Sequence, residues 1–198
     1  MNKKIDLILA SASPRRSEIL TSLGVEFRVL VSDADESSDA TDAGAHVENI
    51  ARAKCLAVAD SLGGVENIDG NTMILAADTL VVANGEFLGK PADAEDAARM
   101  LRRLSGREHF VVTGFAACLD GRVRVSHEKT VVRFAEMTDA DIDGYIGSGE
   151  PFGKAGAYAI QGRGARYIEG ITGDYFNVVG LPAHKIFDFV RREFGIEL

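Results

Sequence analysis

LILASASPRRSEIL, residues Leu7 to Leu20, joins a short apolar run to a helical pattern through a small polar turn and a proline. Residues Ile5–Ala10 read as a strand. Ser13 suits an N-cap and Pro14 the first helical position, so a helix is expected to about Leu23, with Gly24 as its stop. Arg15 and Arg16 then fall in the first turn, where unpaired N–H groups and the helix dipole disfavour cations. One reading turns both arginines to solvent, paired with Glu18 or other acids. The other makes the turn an anion cradle, in which backbone N–H groups, small serines and two guanidinium groups face a polyphosphate. The order strand, SxS, proline, RR, helix favours the cradle, because the awkward placement calls for a compensating ligand.

Outward from that turn, strands and helices mix. EFRVLV (Glu26–Val31) alternates as a strand, and SDADESSDATDAG is an acidic loop. A helical stripe through Val47, Ile50, Ala51, Cys55 and Val58 ends near Gly63-Gly64. MILAAD (Met73–Asp78) reads as a buried strand ending in a carboxylate. Asn84-Gly85 is a favoured type I′ turn, giving one hairpin over Thr79–Leu88, and Asp120-Gly121 joins Glu108–Leu119 and Arg122–Phe134 in a second, longer one. Helices are expected over Ala94–Leu104, over Asp139–Ser148 behind Thr138 as cap, and over Pro182–Phe194. Two antiparallel hairpins among helices predict an α/β fold on a mixed, partly antiparallel twisted sheet flanked by helices. With no proline-rich linker and no internal repeat, residues 1–198 are expected to form a single domain, bilobed around a cleft.

Composition narrows the function classes. Hydrophobic content of 46% and charged content of 26% are those of an ordinary folded chain. The net charge of −8 argues against a partner whose backbone is nucleic acid, but leaves room for a small anion held by a local basic cluster. No apolar run reaches the roughly 18 residues of a membrane span, and MNKKIDLILASAS is too short in apolar residues for a secretory segment. Cys55 and Cys118 are isolated core candidates, so a reducing cytoplasm is the expected setting. His46, His109, His127 and His184 are scattered and read as surface or structural imidazoles.

Chemistry concentrates at a few further positions. Asp78, placed after MILAA, could hold a metal or act as general base to a water; equally it could cap the next turn beside Thr79. Lys54 interrupts an apolar stripe, so facing inward it would need an anionic partner or ligand, whereas at the stripe's edge it would snorkel. Glu36 by itself reads as a solvated charge. Lys90 in GEFLGKPAD and Lys154 in GEPFGKAGAY are not Walker A lysines, since the glycine spacing is too short and Pro91 or Ala155 replaces the Ser or Thr that Mg²⁺ needs. GRGA after Gln161 lacks the third glycine of a dinucleotide fingerprint.

Taken together these positions resemble the Maf family of nucleoside triphosphate pyrophosphatases. The matching motifs are ASASPRR (Ala10–Arg16), DADE ending in Glu36, ARAKCLA around Lys54, AADT with Asp78 and Thr79, and GKPAD with Lys90. The stretch Ser105–Gly114, SGEPFGKAGAYAIQG (Ser148–Gly162) and NVVGLP (Asn177–Pro182) complete a match that runs nearly the whole chain. The resemblance implies a two-lobed α/β protein of the Maf and ITPase kind, with a positively lined cleft, often dimeric, acting with a divalent cation (Mg²⁺, Mn²⁺ or Co²⁺).

By match of motif, Asp78 would accept the proton of the attacking water, and Glu36 would help it bind metal. Ser13, Arg15, Arg16, Lys54, Lys90 and Lys154 would hold the phosphates. Arg15, Thr79 and Gln161 occupy positions that the family associates with base choice. Thr79 with Gln161 resembles the branch acting on dTTP and UTP, where the branch preferring 7-methyl-GTP has a different residue after the aspartate. The implied activity is hydrolysis of a nucleoside triphosphate to monophosphate and pyrophosphate, a house-cleaning role that extends to modified pyrimidine triphosphates. The alternatives are a 7-methyl-GTP or other modified-nucleotide pyrophosphatase, and a weakly catalytic nucleotide-binding regulator of septum formation, the effect that gave the family its name. The chain departs from the family pattern at Gly153, usually Asp, and at Asp174, where many members have Ser.

Overall fold

The computed structural model describes residues 5–198. The absence of a secretory segment was read partly from residues 1–4, which lie outside the described residues. The first strand, β1 (Asp6–Ala10), passes through Ser11–Ser13 into α1 (Pro14–Ser22), with Pro14 in the first turn. A short β2 (Phe27–Val29) and a long α2 (Ala43–Ser61) follow, the latter capped by Asp42, whose side chain accepts from the Ala45 amide. Next come β3 (Thr72–Ala83), β4 (Glu86–Leu88), α3 (Ala94–Leu104), β5 (Glu108–Leu119) and β6 (Arg122–Phe134). The chain ends through α4 (Asp139–Ile146), β7 (Ile168–Thr172), α5 (Tyr175–Val179) and α6 (Ala183–Phe194). Among the described residues, no helix is long and apolar enough to cross a membrane.

The strands form one mixed seven-stranded sheet in the order β2-β1-β3-β5-β6-β7, with β4 beside β3. β1 runs parallel to both β2 and β3, whereas the β3–β4 and β6–β7 pairs are antiparallel. Asn84-Gly85 has the positive φ values that a type I′ turn requires, 51° and 78°, and Asp120-Gly121 matches them at 51° and 68°. Thr138 caps α4 through a full capping box with Asp141.

One expectation fails in an informative way. Strand and hairpin were read as separate on either side of Asp78, yet β3 is continuous, and Asp78 lies in its interior instead of at its mouth. No glycine or proline stands between Met73 and Ala83, and Thr79, Val81 and Val82 favour extended backbone, so nothing breaks the ladder. The glycine-rich stretch after α4, for which no elements were expected, contains 3₁₀ turns at Ala155–Ala157 and Arg163–Tyr167, then β7 and α5.

The chain divides into two compact units. The first comprises residues up to Asp78, Thr113–Glu128 and Gly180–Leu198; the second comprises Thr79–Val112 and Lys129–Val179. The core of the first unit joins Ile8 and Ala10 of β1, Ile74 and Ala76 of β3, Ala116 and Cys118 of β5, and the buried face of α2. Cys55 and Cys118 are free thiols in this core; donation of a hydrogen bond to Cys118, with burial, pushes the Cys55 thiol far above its ordinary pKa, while the same hydrogen bond lowers that of Cys118. In the second unit, Met100, Leu101 and Leu104 of α3 pack with Leu88, Phe134, Tyr145 and Tyr158. Each such fully buried side chain contributes about 1.5–3 kcal/mol relative to exposure.

Candidate active site

In the first unit, the interrupted stripe on α2 resolves clearly. Lys54 is 8% exposed, and its ammonium lies 2.7 Å from Asp78 Oδ1 and 2.9 Å from Glu36 Oε1. The two carboxylates compensate the loss of water around a buried ammonium, which unpaired would be costly. Asp78 projects from the interior of β3, while Glu36, on the loop before α2, keeps half of its side chain in solvent. An apolar stripe with one lysine is therefore the sequence signal of this triad, and the partner it requires is an acid from each neighbouring element.

The two arginines of the opening turn part company. Arg16 is 9% exposed; its Nε donates to the Gly180 carbonyl at 2.8 Å and its Nη1 to Ser11 Oγ at 3.0 Å. Burial lowers its pKa, and the charges of Asp78 and Glu36 oppose that fall against a smaller lowering by Arg15. Arg15 is only partly buried, and Ser13 caps α1 by position without a side-chain cap bond. Instead Ser11 Oγ accepts from the Ser13 amide at 3.2 Å. Ser11 and the Gly180 carbonyl thus belong to this turn although neither was singled out in the sequence; the first serine of SxS was the available signal. Arg16, Glu36, Lys54 and Asp78 make up one charged cluster.

The second unit contains Thr79, Lys90, Lys154 and Gln161. Lys90 is exposed just beyond β4, and the carbonyl of its neighbour Gly89 accepts from the Gly156 amide at 3.0 Å, which brings the two lysine-bearing segments together. Gly156 has φ of 67°, and a Cβ there would stand 2.8 Å from Val81 Cγ2, so glycine is needed for both conformation and space. Lys154 Nζ donates to the Glu150 carbonyl at 2.5 Å, and Gln161 is exposed. Thr79 follows Asp78 directly in β3.

Both departures from the family pattern have local accounts. Gly153 adopts φ of 74°, a left-handed conformation that glycine takes without strain. Asp174 accepts from the amides of Phe176 at 2.7 Å and Asn177 at 3.3 Å, so its charge caps the start of α5.

Among the described residues, no group of three or more His, Cys, Asp or Glu is arranged to hold a metal ion. The donor set of Glu36 and Asp78 nevertheless fits a hard divalent cation of the Mg²⁺ kind, which is bound through one or two carboxylates with phosphate and water oxygens completing its shell.

Comparison with known proteins places this geometry in context. A protein named dTTP/UTP pyrophosphatase from Caldanaerobacter subterraneus subsp. tengcongensis is 45% identical over 193 residues, covering 96% of this chain and 90% of its own. One of the same name from Symbiobacterium thermophilum is 49% identical over 180 residues, covering 90% and 89%. Among solved structures, the Staphylococcus aureus Ham1 protein aligns with a TM-score of 0.49 at 16% identity, over 82% of this chain and 79% of that one. The family model described as Maf-like protein matches residues 6–193, and with relatives this similar over nearly their full length, the chain belongs to the Maf-like family.

Proposed function

We propose that this chain is a nucleoside triphosphate pyrophosphatase that hydrolyses dTTP and UTP to the monophosphate and pyrophosphate. The observation that carries the reading is the Lys54–Asp78–Glu36 cluster beside Arg16, which sets a carboxylate among cations in a chain whose relatives are named for this reaction.

Phosphoanhydride hydrolysis needs positive charge along the polyphosphate and a base for the attacking water. Water attacks the α-phosphorus, its proton passes to Asp78, and the bond from that phosphorus to the bridging oxygen breaks as pyrophosphate leaves. Lys54 occupies one of the acceptor positions of the Asp78 carboxylate, which leaves others for the proton. Ser13, Arg15, Arg16, Lys54, Lys90 and Lys154 hold the phosphates; Arg15, Thr79 and Gln161 select the base. Glu36 and Asp78 would hold a divalent cation, whose chemistry is to offset the charge of the polyphosphate against these carboxylates.

We treat residues 1–198 as one functional domain, acting on free nucleotides in the cytoplasm as a homodimer; the family match over residues 6–193 and the two free thiols support the first and second of these. The test is a panel of ordinary and modified triphosphates with Mg²⁺, Mn²⁺ and Co²⁺ in turn. Monophosphate and pyrophosphate in equal amounts, fastest from dTTP and UTP, are expected. Release of single phosphate from every nucleotide overturns the reading.

A further inference from the structure

The segment after α4 is held by one acidic side chain that the proposed reaction does not use. Glu150 Oε1 accepts from the Tyr145 hydroxyl at 2.8 Å and from the Gly164 amide at 2.9 Å, while Oε2 accepts from the Arg163 amide at 2.8 Å. The backbone carbonyl of the same residue accepts the Lys154 ammonium at 2.5 Å. Tyr145, 3% exposed on α4, accepts in turn from the Ala159 amide at 3.2 Å. Glu150 therefore ties Lys154, at one end of the loop, to the residues that follow Gln161 at the other.

The surrounding glycines are shaped to this carboxylate. A Cβ on Gly162, which has φ of 90°, would stand 2.5 Å from Glu150 Oε2, and one on Gly164 would stand 2.5 Å from the Tyr145 hydroxyl. Partial burial raises the pKa of Glu150, but the amides of Arg163 and Gly164 and the Tyr145 hydroxyl outweigh it and hold the group below its ordinary value. It is thus ionised at neutral pH, as an acceptor of three donors must be. Glutamine, with the same shape, would turn an N–H₂ group toward at least one of those donors.

We propose that Glu150 is a positioning residue that fixes Lys154 and Gln161 relative to each other and thereby sets which nucleotide base the enzyme accepts. This rests on the proposed reading of Lys154 as a phosphate ligand and Gln161 as a base-selecting residue. The carboxylate touches no substrate; it determines where two substrate-facing side chains start from. Selectivity should therefore respond to Glu150 more strongly than the chemical step does.

The test compares the full-length chain with Glu150→Gln and Gly162→Ala, the second displacing the carboxylate from the opposite side. KM and kcat are measured for dTTP and for GTP, alongside hydrogen exchange at the Arg163 and Gly164 amides. Both variants are expected to raise KM for dTTP about tenfold, the equivalent of one charge-assisted hydrogen bond, with a smaller change in kcat and a narrowed preference for dTTP over GTP. Both amides should lose protection. Where either variant fails to fold, Tyr145→Phe removes one donor from the carboxylate and should give the same pattern at smaller amplitude. Variants that melt earlier but keep the parent KM and preference overturn the proposal. If the parent chain releases no pyrophosphate from any triphosphate, the enzyme reading fails on its own; retained protection at Arg163 and Gly164 in Glu150→Gln would then still overturn the clasp.

Discussion

Lys54, on the buried face of α2, lies 2.7 Å from Asp78, in the interior of β3. The contact joins a helix and a strand through charge where the neighbouring positions join them through Ala51 and Cys55. Asp78→Asn keeps the shape of this contact and removes the proposed proton acceptor. Pyrophosphate release should be abolished while nucleotide binding, followed by titration, is largely retained; full turnover in the variant would remove Asp78 from the base role.

The two arginines of the first turn should separate experimentally. Arg16→Ala removes the donor to the buried Gly180 carbonyl and leaves the Ser11 hydroxyl only the Ser13 amide, which costs about 1–3 kcal/mol in a urea titration as well as any loss of turnover. Arg15, only partly buried, should lose turnover on replacement by Ala with the unfolding midpoint nearly unchanged. Equal midpoints for the two variants would contradict the inward role of Arg16.

Gly114 in β5 lies close against the backbone of α2: a Cβ there would stand 2.5 Å from the Val47 carbonyl carbon and 2.7 Å from the Glu48 amide. Backbone cannot yield as a side-chain tip can. Gly114→Ala should cost about 3 kcal/mol or more, the upper end of overpacking effects, and shift the helix that carries Lys54. Thermal unfolding at neutral pH checks the first part, and dTTP turnover the second.

His109 gives the fold a pH dependence. It is 2% exposed, its Nε2 lies 2.7 Å from the Tyr158 hydroxyl, and burial pushes its pKa down to about 4. Between pH 6.5 and 4 the unfolded chain binds a proton at this residue that the folded chain refuses, so stability falls as pH falls through that window. The loss approaches the order of 3 kcal/mol at the acid end. His109→Gln should flatten this part of a stability profile measured by denaturant titration from pH 7 to 4; an unchanged slope would assign it to the carboxylates.

Much of this was legible in the sequence because short-range rules governed it. The Asn84-Gly85 and Asp120-Gly121 turns, the α3 bounds and the Thr138 cap all depend on residues within one turn of each other. Lys54 was legible as a question, since one cation on an apolar stripe demands an acid, but the identity of its partners depends on tertiary contacts. The full length of β3 is not legible at Asp78, because a charge there reads as an end whereas its neighbours prefer to remain extended. The clasp at Glu150 left no periodic trace: its partners are backbone amides, which every sequence has, and only the glycines at 162 and 164 hint that something must come close.

The boundary between the two units has a consequence for anyone recombining such chains. It crosses the backbone between Asp78 and Thr79, Val112 and Thr113, Glu128 and Lys129, and Val179 and Gly180. Three of these junctions lie inside β3, β5 and β6, so neither unit can be lifted out or exchanged by cutting loops. A chimera of two relatives would have to splice hydrogen-bonded strands in register at three places. Altered nucleotide preference is therefore more accessible by single replacements at the proposed base-selecting residues Thr79 and Gln161 than by shuffling modules.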